Sequence, residues 1–275
     1  GALFGGSGLV ATSAYFIGVA SVIISGVILK KTRAFAGEAA PFVMELPAYH
    51  VPSAKNVFHS TWERGWSFIR RAGTIILASS VILWFLQGFG FVDGAFQMVE
   101  DNNNSILAAI GNVIAPIFTP VGFGNWKATV ATFTGLIAKE NVVGTFGVLY
   151  GLSEVAEDGA EIWSNLAADY TPLTAYSFML FNLLCAPCFA AIGAIKREMN
   201  NAKWTWAAIG YLCGYAYVIA FIVYQLGKLF AGGGFGVGTV FAIAAVISLV
   251  YLLLRKNRYG EYGEYLPERK VTANA

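Results

Sequence analysis

Charge is what this sequence has least of. Of its 275 residues only 12% are Asp, Glu, Lys or Arg, against about a quarter in soluble domains, and 57% are apolar. Mean hydropathy is +0.61. These figures exclude a disordered chain, a nucleic-acid-binding module and an ordinary cytosolic enzyme. A net charge of +2 points to no polyanionic partner. Cysteine is scarce and odd in number, three in all, so no disulfide framework is expected. Two histidines leave little room for a histidine-rich metal site. There is no Walker A, HExxH or GxSxG pattern and no visible internal repeat. The class that remains is an all-α, polytopic membrane protein.

Long apolar runs are what the sequence does have. A hydrocarbon core about 30 Å thick takes about 20 apolar residues in a helix. Five stretches meet that, at about 8–29, 72–91, 173–195, 204–226 and 235–254. The first has no basic residue before it and is too long for a signal-peptide core. The stretch 105–150 differs. Ser105 to Thr119 covers only about 22 Å as a helix and stops at Pro120-Val121-Gly122-Phe123-Gly124. The apolar run after it, Trp126 to Tyr150, carries Lys127, Lys139 and Glu140. Short apolar segments interrupted by Pro and Gly point to a transport site, so a re-entrant or broken helical pair is expected here.

Charge asymmetry orients the spans. Loops after the first, third and fifth spans hold fifteen of the 18 basic residues, all but Lys127, Lys139 and Lys228. The positive-inside rule then puts the N-terminus outside and the C-terminus in the cytoplasm. The 105–150 pair enters and leaves on the outer side. An outside N-terminus with no signal, and a first residue that is Gly1, lead us to expect part of a longer polypeptide or of a split system.

Within the cytoplasmic segment 31–71, Phe58, Trp62, Trp66 and Ile69 recur at helical spacing, which reads as an amphipathic helix in the inner interface. Three prolines between Pro41 and Pro52 make the residues before it a kinked connector. The polar tail 259–275 is read as a loose cytoplasmic end.

Few residues can carry chemistry. Glu140 is an ionisable group inside a membrane segment, which is costly and points to function; half of a structural ion pair is the other reading. Lys139, adjacent in sequence, points about 100° away on a helix and is a poor partner for it. Lys127, Thr134, Asn141 and Thr145, at spacings of 7, 7 and 4, form one polar stripe that suits a water-lined path or tight helix contact. Cys185-Ala186-Pro187-Cys188 sits mid-span, where Pro187 frees a carbonyl. Thiolates and carbonyls suit soft or borderline metals, against the reading of buried, inert cysteines. Asn182, one turn earlier, is a hydrogen-bonding residue between helices or part of the same path. Cys213, between Gly210 and Gly214, is assigned to small-residue helix packing. His50 and His59 are read as surface histidines.

Several of these stretches together resemble bacterial ferrous iron transport protein B (FeoB). Ala40-Pro41-Phe42-Val43-Met44-Glu45-Leu46-Pro47-Ala48-Tyr49-His50-Val51-Pro52 is similar to that family's FxxELPxYxxP segment. Trp62-Glu63-Arg64, Ala138-Lys139-Glu140-Asn141, Leu184-Cys185-Ala186-Pro187-Cys188 and Trp206 to Tyr211 follow in the family's order. The resemblance covers roughly residues 10–255. It implies the C-terminal part of a permease moving Fe²⁺ across a bacterial inner membrane, including the second of two Gate regions. It also implies an upstream GTPase domain, which would hold the GTP and Mg²⁺, and an upstream first Gate. No cofactor is expected in this chain. Metal contacts are expected at Cys188, Cys185 and Glu140, and path or gate roles at Asn141, Thr145, Asn182 and Glu45. Expected partners are the lipid bilayer, the upstream half, a small cytoplasmic accessory protein and further copies in a homo-oligomer, with no nucleic acid. A nucleoside-type transporter for an organic solute and a non-transporting anchor or assembly module are the competing functions.

Overall fold

The computed structural model describes residues 3–5, 8–32, 35, 53–92, 95–99, 102–137, 139, 141–151 and 162–256. They are almost entirely helical. Among the described residues, three helices are long and apolar enough to cross a membrane: α1 (Gly8–Lys30), α9 (Ala202–Phe230) and α10 (Val237–Leu254). Each coincides within a few residues with an expected span. Their side chains are apolar nearly all round, as a bilayer demands. Tyr15, Phe16 and Ile23 on α1 and Phe241 and Ile247 on α10 stand exposed in the isolated chain.

Two expected boundaries move. The interfacial segment ending at Arg71 and the span 72–91 are not separate elements. One helix, α2 (Ala54–Gly88), runs through both, with Ser53 as N-cap. At 35 residues it is about 52 Å long. Gly73 costs a helix only about 1 kcal/mol, too little to break it without a proline. Residues 54–71 therefore continue into 72–88 without a break. The aromatic stripe does form, with Phe58, Trp62 and Trp66 stacked at 6.4 and 6.2 Å and all exposed. His59 is exposed beside Glu63, as read. The last residues of the expected span, from Phe89, are strand: β1 (Phe89–Val92) pairs antiparallel with β2 (Ala95–Met98). The connector with Glu45 and His50 and the tail 259–275 lie outside the described residues.

The expected broken pair is present, bent at the expected Pro120–Gly124. α3 (Ile106–Ile114) runs through a 3₁₀ turn, Ala115–Val121, and turns by 94° into α4 (Trp126–Ile137). Gly122 makes the turn with φ 95°, and a Cβ there would run into the Tyr224 ring. Irregular backbone at membrane depth survives only where protein satisfies its polar groups. Tyr217 donates to Ile117 O at 2.8 Å and Gln225 to Pro120 O at 2.7 Å. Buried Ser177 reaches Val121 O at 2.7 Å.

The run Trp126–Tyr150 is not one helix. It divides into α4 and α5 (Asn141–Leu149), which fold back on each other. Contacts join Lys127 to Tyr150, Thr134 to Thr145 and Gly135 to Val142, the register of an antiparallel hairpin. The single polar stripe expected on a continuous helix is thus folded in half. At 12 and 9 residues the arms are about 18 and 14 Å long, roughly half a hydrocarbon core.

After α6 (Trp163–Asp169), the span expected at 173–195 is also broken, into α7 (Pro172–Leu184) and α8 (Phe189–Met199). The buried core gathers where the bend, the hairpin, α7 and α9 meet, around Phe118, Phe123, Phe146, Phe181, Cys185 and Ala216. Among the described residues, nothing lies within 4 Å of a Cβ at Gly210 or Gly214, the glycines flanking Cys213. Three basic helix ends share one face. Arg255 donates to Lys31 O at 2.7 Å and Lys31 to Leu253 O, while Phe35 meets Trp204 at 5.6 Å.

Candidate functional site: two facing helix breaks

The α7–α8 break follows from four residues. Pro187 has no N–H for Leu183 O, and a proline disfavours helical geometry at Ala186 before it. The chain responds at Cys185, which turns extended (φ −67°, ψ 175°) while its N–H still caps Phe181 O at 2.9 Å. Cys188 is extended too (φ −56°, ψ 159°) and is the N-cap of α8, without a side-chain capping bond. The carbonyl end of α7 and the amide end of α8 therefore meet in one gap. Such ends carry partial negative and positive charge, and transporters build ion and substrate sites from them.

Cys185 is buried, and its thiol lies 3.7 Å from Asn182 O and 3.6 Å from Ala186 O. Cys188 is half-buried. Asn182 turns its amide nitrogen back to Phe178 O at 2.9 Å. Its Oδ1 would lie 3.3 Å from a Cβ on Gly135, so α4 comes very near α7 here. The tip of the α4–α5 hairpin is at this level. Lys139, between the two helices, extends its Nζ to Asn182 O at 2.8 Å and Leu183 O at 3.3 Å. Further up the hairpin Thr145 donates to Thr134 at 2.9 Å.

The opposite end of the hairpin is clasped. Lys127 pairs with Asp169 at 3.1 Å and lies 4.2 Å over the Tyr150 ring. Tyr150 donates to the same Asp169 oxygen at 2.8 Å. Tyr170 donates to Asn125, and burial pushes its phenol above the ordinary range, keeping it a neutral donor. The hairpin is thus closed at its polar end and dips beside α7, bringing its tip to the broken span.

Of the residues singled out from sequence, Cys185, Cys188 and Asn182 come together at the break, and Thr145 lies within the hairpin that faces it. Glu140 and Glu45 lie outside the described residues, and only the backbone of Asn141 is described. Among the described residues, no three His, Cys, Asp or Glu side chains gather as a metal cage. What the gap offers is sulfur and backbone carbonyl oxygen. Sequence reasoning missed Lys139, set aside as a poor partner for Glu140, and also Gly135 and Asp169. Lys139 carried one available signal, a cation within an apolar run.

Comparison with known proteins covers most of the chain. Residues 11–64 match the family model described as ferrous iron transport protein B C terminus, and residues 69–202 match the Gate model, described as nucleoside recognition. The Fe(2+) transporter FeoB of Staphylococcus aureus strain COL is 36% identical over 222 residues, 81% of this chain and 32% of the relative. That of Methanocaldococcus jannaschii is 36% identical over 236 residues, covering 83% and 34%. That of Escherichia coli K12 is 32% identical over 323 residues, covering 99% and 41%. The chain spans about a third to two fifths of these relatives' length. No solved structure matches it. Both break segments fall inside the Gate match, and the chain belongs to the ferrous iron transport protein B family, as the C-terminal part of its membrane permease.

Proposed function

We propose that this chain supplies part of the path by which an Fe²⁺ permease moves its ion across the bacterial inner membrane into the cytoplasm. The observation that supports this is the break at Cys185–Cys188 in an apolar segment, set against the tip of the α4–α5 hairpin. An ion that sheds water needs ligands that replace its hydration without holding it tightly. Two thiols and a helix's carbonyl end that has no helical partners fit that, and sulfur suits a borderline metal. Glu140, next to the tip in sequence, supplies negative charge in this reading, with Asn141, Thr145 and Asn182 along the path and Glu45 at the gate. GTP and Mg²⁺ belong to an upstream GTPase domain coupled to the permease, and the basic helix ends face the cytoplasm. A small accessory protein and a homo-oligomer complete the proposed assembly.

The test uses the full-length transporter in vesicles. Cys188→Ser and Glu140→Gln should each lower Fe²⁺ uptake about tenfold or more, at unchanged expression and melting temperature. Wild-type uptake in both variants would remove these residues from the path. The Gate model's description favours a second reading, an organic solute of nucleoside type. Nucleoside uptake that survives Cys188→Ser, with no Fe²⁺ uptake in the wild type, would establish that reading instead.

A further inference from the structure

Lys139 is out of place in an ion path of the kind just proposed. A lysine beside a cation site repels the ion by simple electrostatics. Yet its ammonium sits on the oxygens a passing cation would use, at 2.8 Å from Asn182 O and 3.3 Å from Leu183 O. These are carbonyls left without helical partners by the extended turn at Cys185 and by Pro187. The Cys185 thiol shares the Asn182 oxygen, at 3.7 Å. One carbonyl is therefore common to the ammonium and to the thiol proposed as a ligand.

We propose that Lys139 is a tethered cation that fills the metal position when no ion is there. This rests on the Fe²⁺ reading above and adds a gating residue to it. The ammonium and a metal ion cannot both occupy the Asn182 and Leu183 carbonyls. An arriving ion must displace Lys139, and the lysine returning helps to expel the ion. Two features suit it to this. Its long, flexible stem springs from the short connection between α4 and α5, not from a helix interior. The C-terminal end of α7 also holds a cation favourably, so the empty path keeps no bare carbonyl dipoles. The seat is occupied, but by the protein's own charge.

The experiment is protection of cysteines from alkylation in the full-length transporter, under anoxia. Protein is titrated with Fe²⁺, pulsed with N-ethylmaleimide, and modification at Cys185 and Cys188 is counted by peptide mass spectrometry. A site that is free only part of the time binds with its affinity reduced by that fraction. If the lysine holds the seat about nine-tenths of the time, Lys139→Met should bring half-protection at about tenfold lower Fe²⁺. Lys139→Arg, which keeps the charge, should stay near wild type. Protection unchanged or weaker in a Lys139→Met protein with wild-type melting overturns the inference. Wild-type protection by Fe²⁺ in that case leaves the ion-path reading standing. Absence of protection in every form overturns both.

Discussion

Gly135 is a point where three helices meet closely. A Cβ added there would lie 2.9 Å from Val142 Cγ2 and 3.3 Å from Asn182 Oδ1, joining both arms of the hairpin to α7. Gly135→Ala should push the arms apart and destabilise the protein by about 1–3 kcal/mol, as overpacking does. Thermal unfolding in detergent measures this, and an unchanged melting temperature would mean the hairpin tolerates the shift. The sequence offered no reason to single this glycine out, since its neighbours lie 7 and 47 positions away. The cysteines were different. Two sulfurs three residues apart around a proline, mid-span, are legible without coordinates. What the cysteines face was not, because the facing element itself depended on an unforeseen fold-back.

The break between α7 and α8 works at the scale of the element. Pro187 removes one hydrogen bond and biases Ala186 away from helix, and these two local effects keep the gap open. Pro187→Ala returns an N–H that can donate to Leu183 O and allows α7 to run into α8. A proline inside a helix costs about 3 kcal/mol, so the variant should melt no lower than wild type. Its Fe²⁺ uptake should nonetheless fall steeply, because the carbonyl end of α7 would be consumed by the helix. Stability and transport are expected to move apart, and full uptake in a protein with higher melting would separate the break from transport. The same local chemistry explains the run 126–150 only in part. No proline marks its division near Lys139; the Thr134–Thr145 bond and the Lys127–Tyr150–Asp169 clasp show that long-range contacts hold it folded. The fusion of 54–71 with 72–88 shows the converse. A change from amphipathic to apolar composition looks like a boundary, but the backbone needs a breaker to end a helix.

Across the whole molecule, the ends of α1, α9 and α10 that carry Lys30, Lys31, Lys203 and Arg255 gather on one face, and Lys228 lies at the other end of α9. In the orientation proposed from the positive-inside rule, the first face is cytoplasmic. In intact cells a membrane-impermeant maleimide should label Lys228→Cys and leave Lys256→Cys unlabelled until the membrane is opened. The reverse pattern would invert the orientation proposed for the path. In the proposed orientation the clasp at the polar end of the hairpin faces the outside, where Lys127 and Asp169, both partly exposed, contribute about 0.2–1 kcal/mol. A contact that weak can open without unfolding the hairpin.

Composition alone determined that this chain lives in a membrane, because a chain with so little charge and such long apolar runs has no other solvent to suit it. The charge pattern along the chain supplied an expected sidedness, which the labelling experiment tests, since basic residues resist translocation. Pro187 determined the broken span, a local steric effect that needs no neighbours. Tertiary structure decided the rest. It folded 126–150 into a hairpin, carried α2 unbroken past Gly73, and placed Lys139 on the carbonyls of Asn182 and Leu183. These depend on residues far apart in sequence, and no local propensity encodes which helix end a lysine will find 43 residues away.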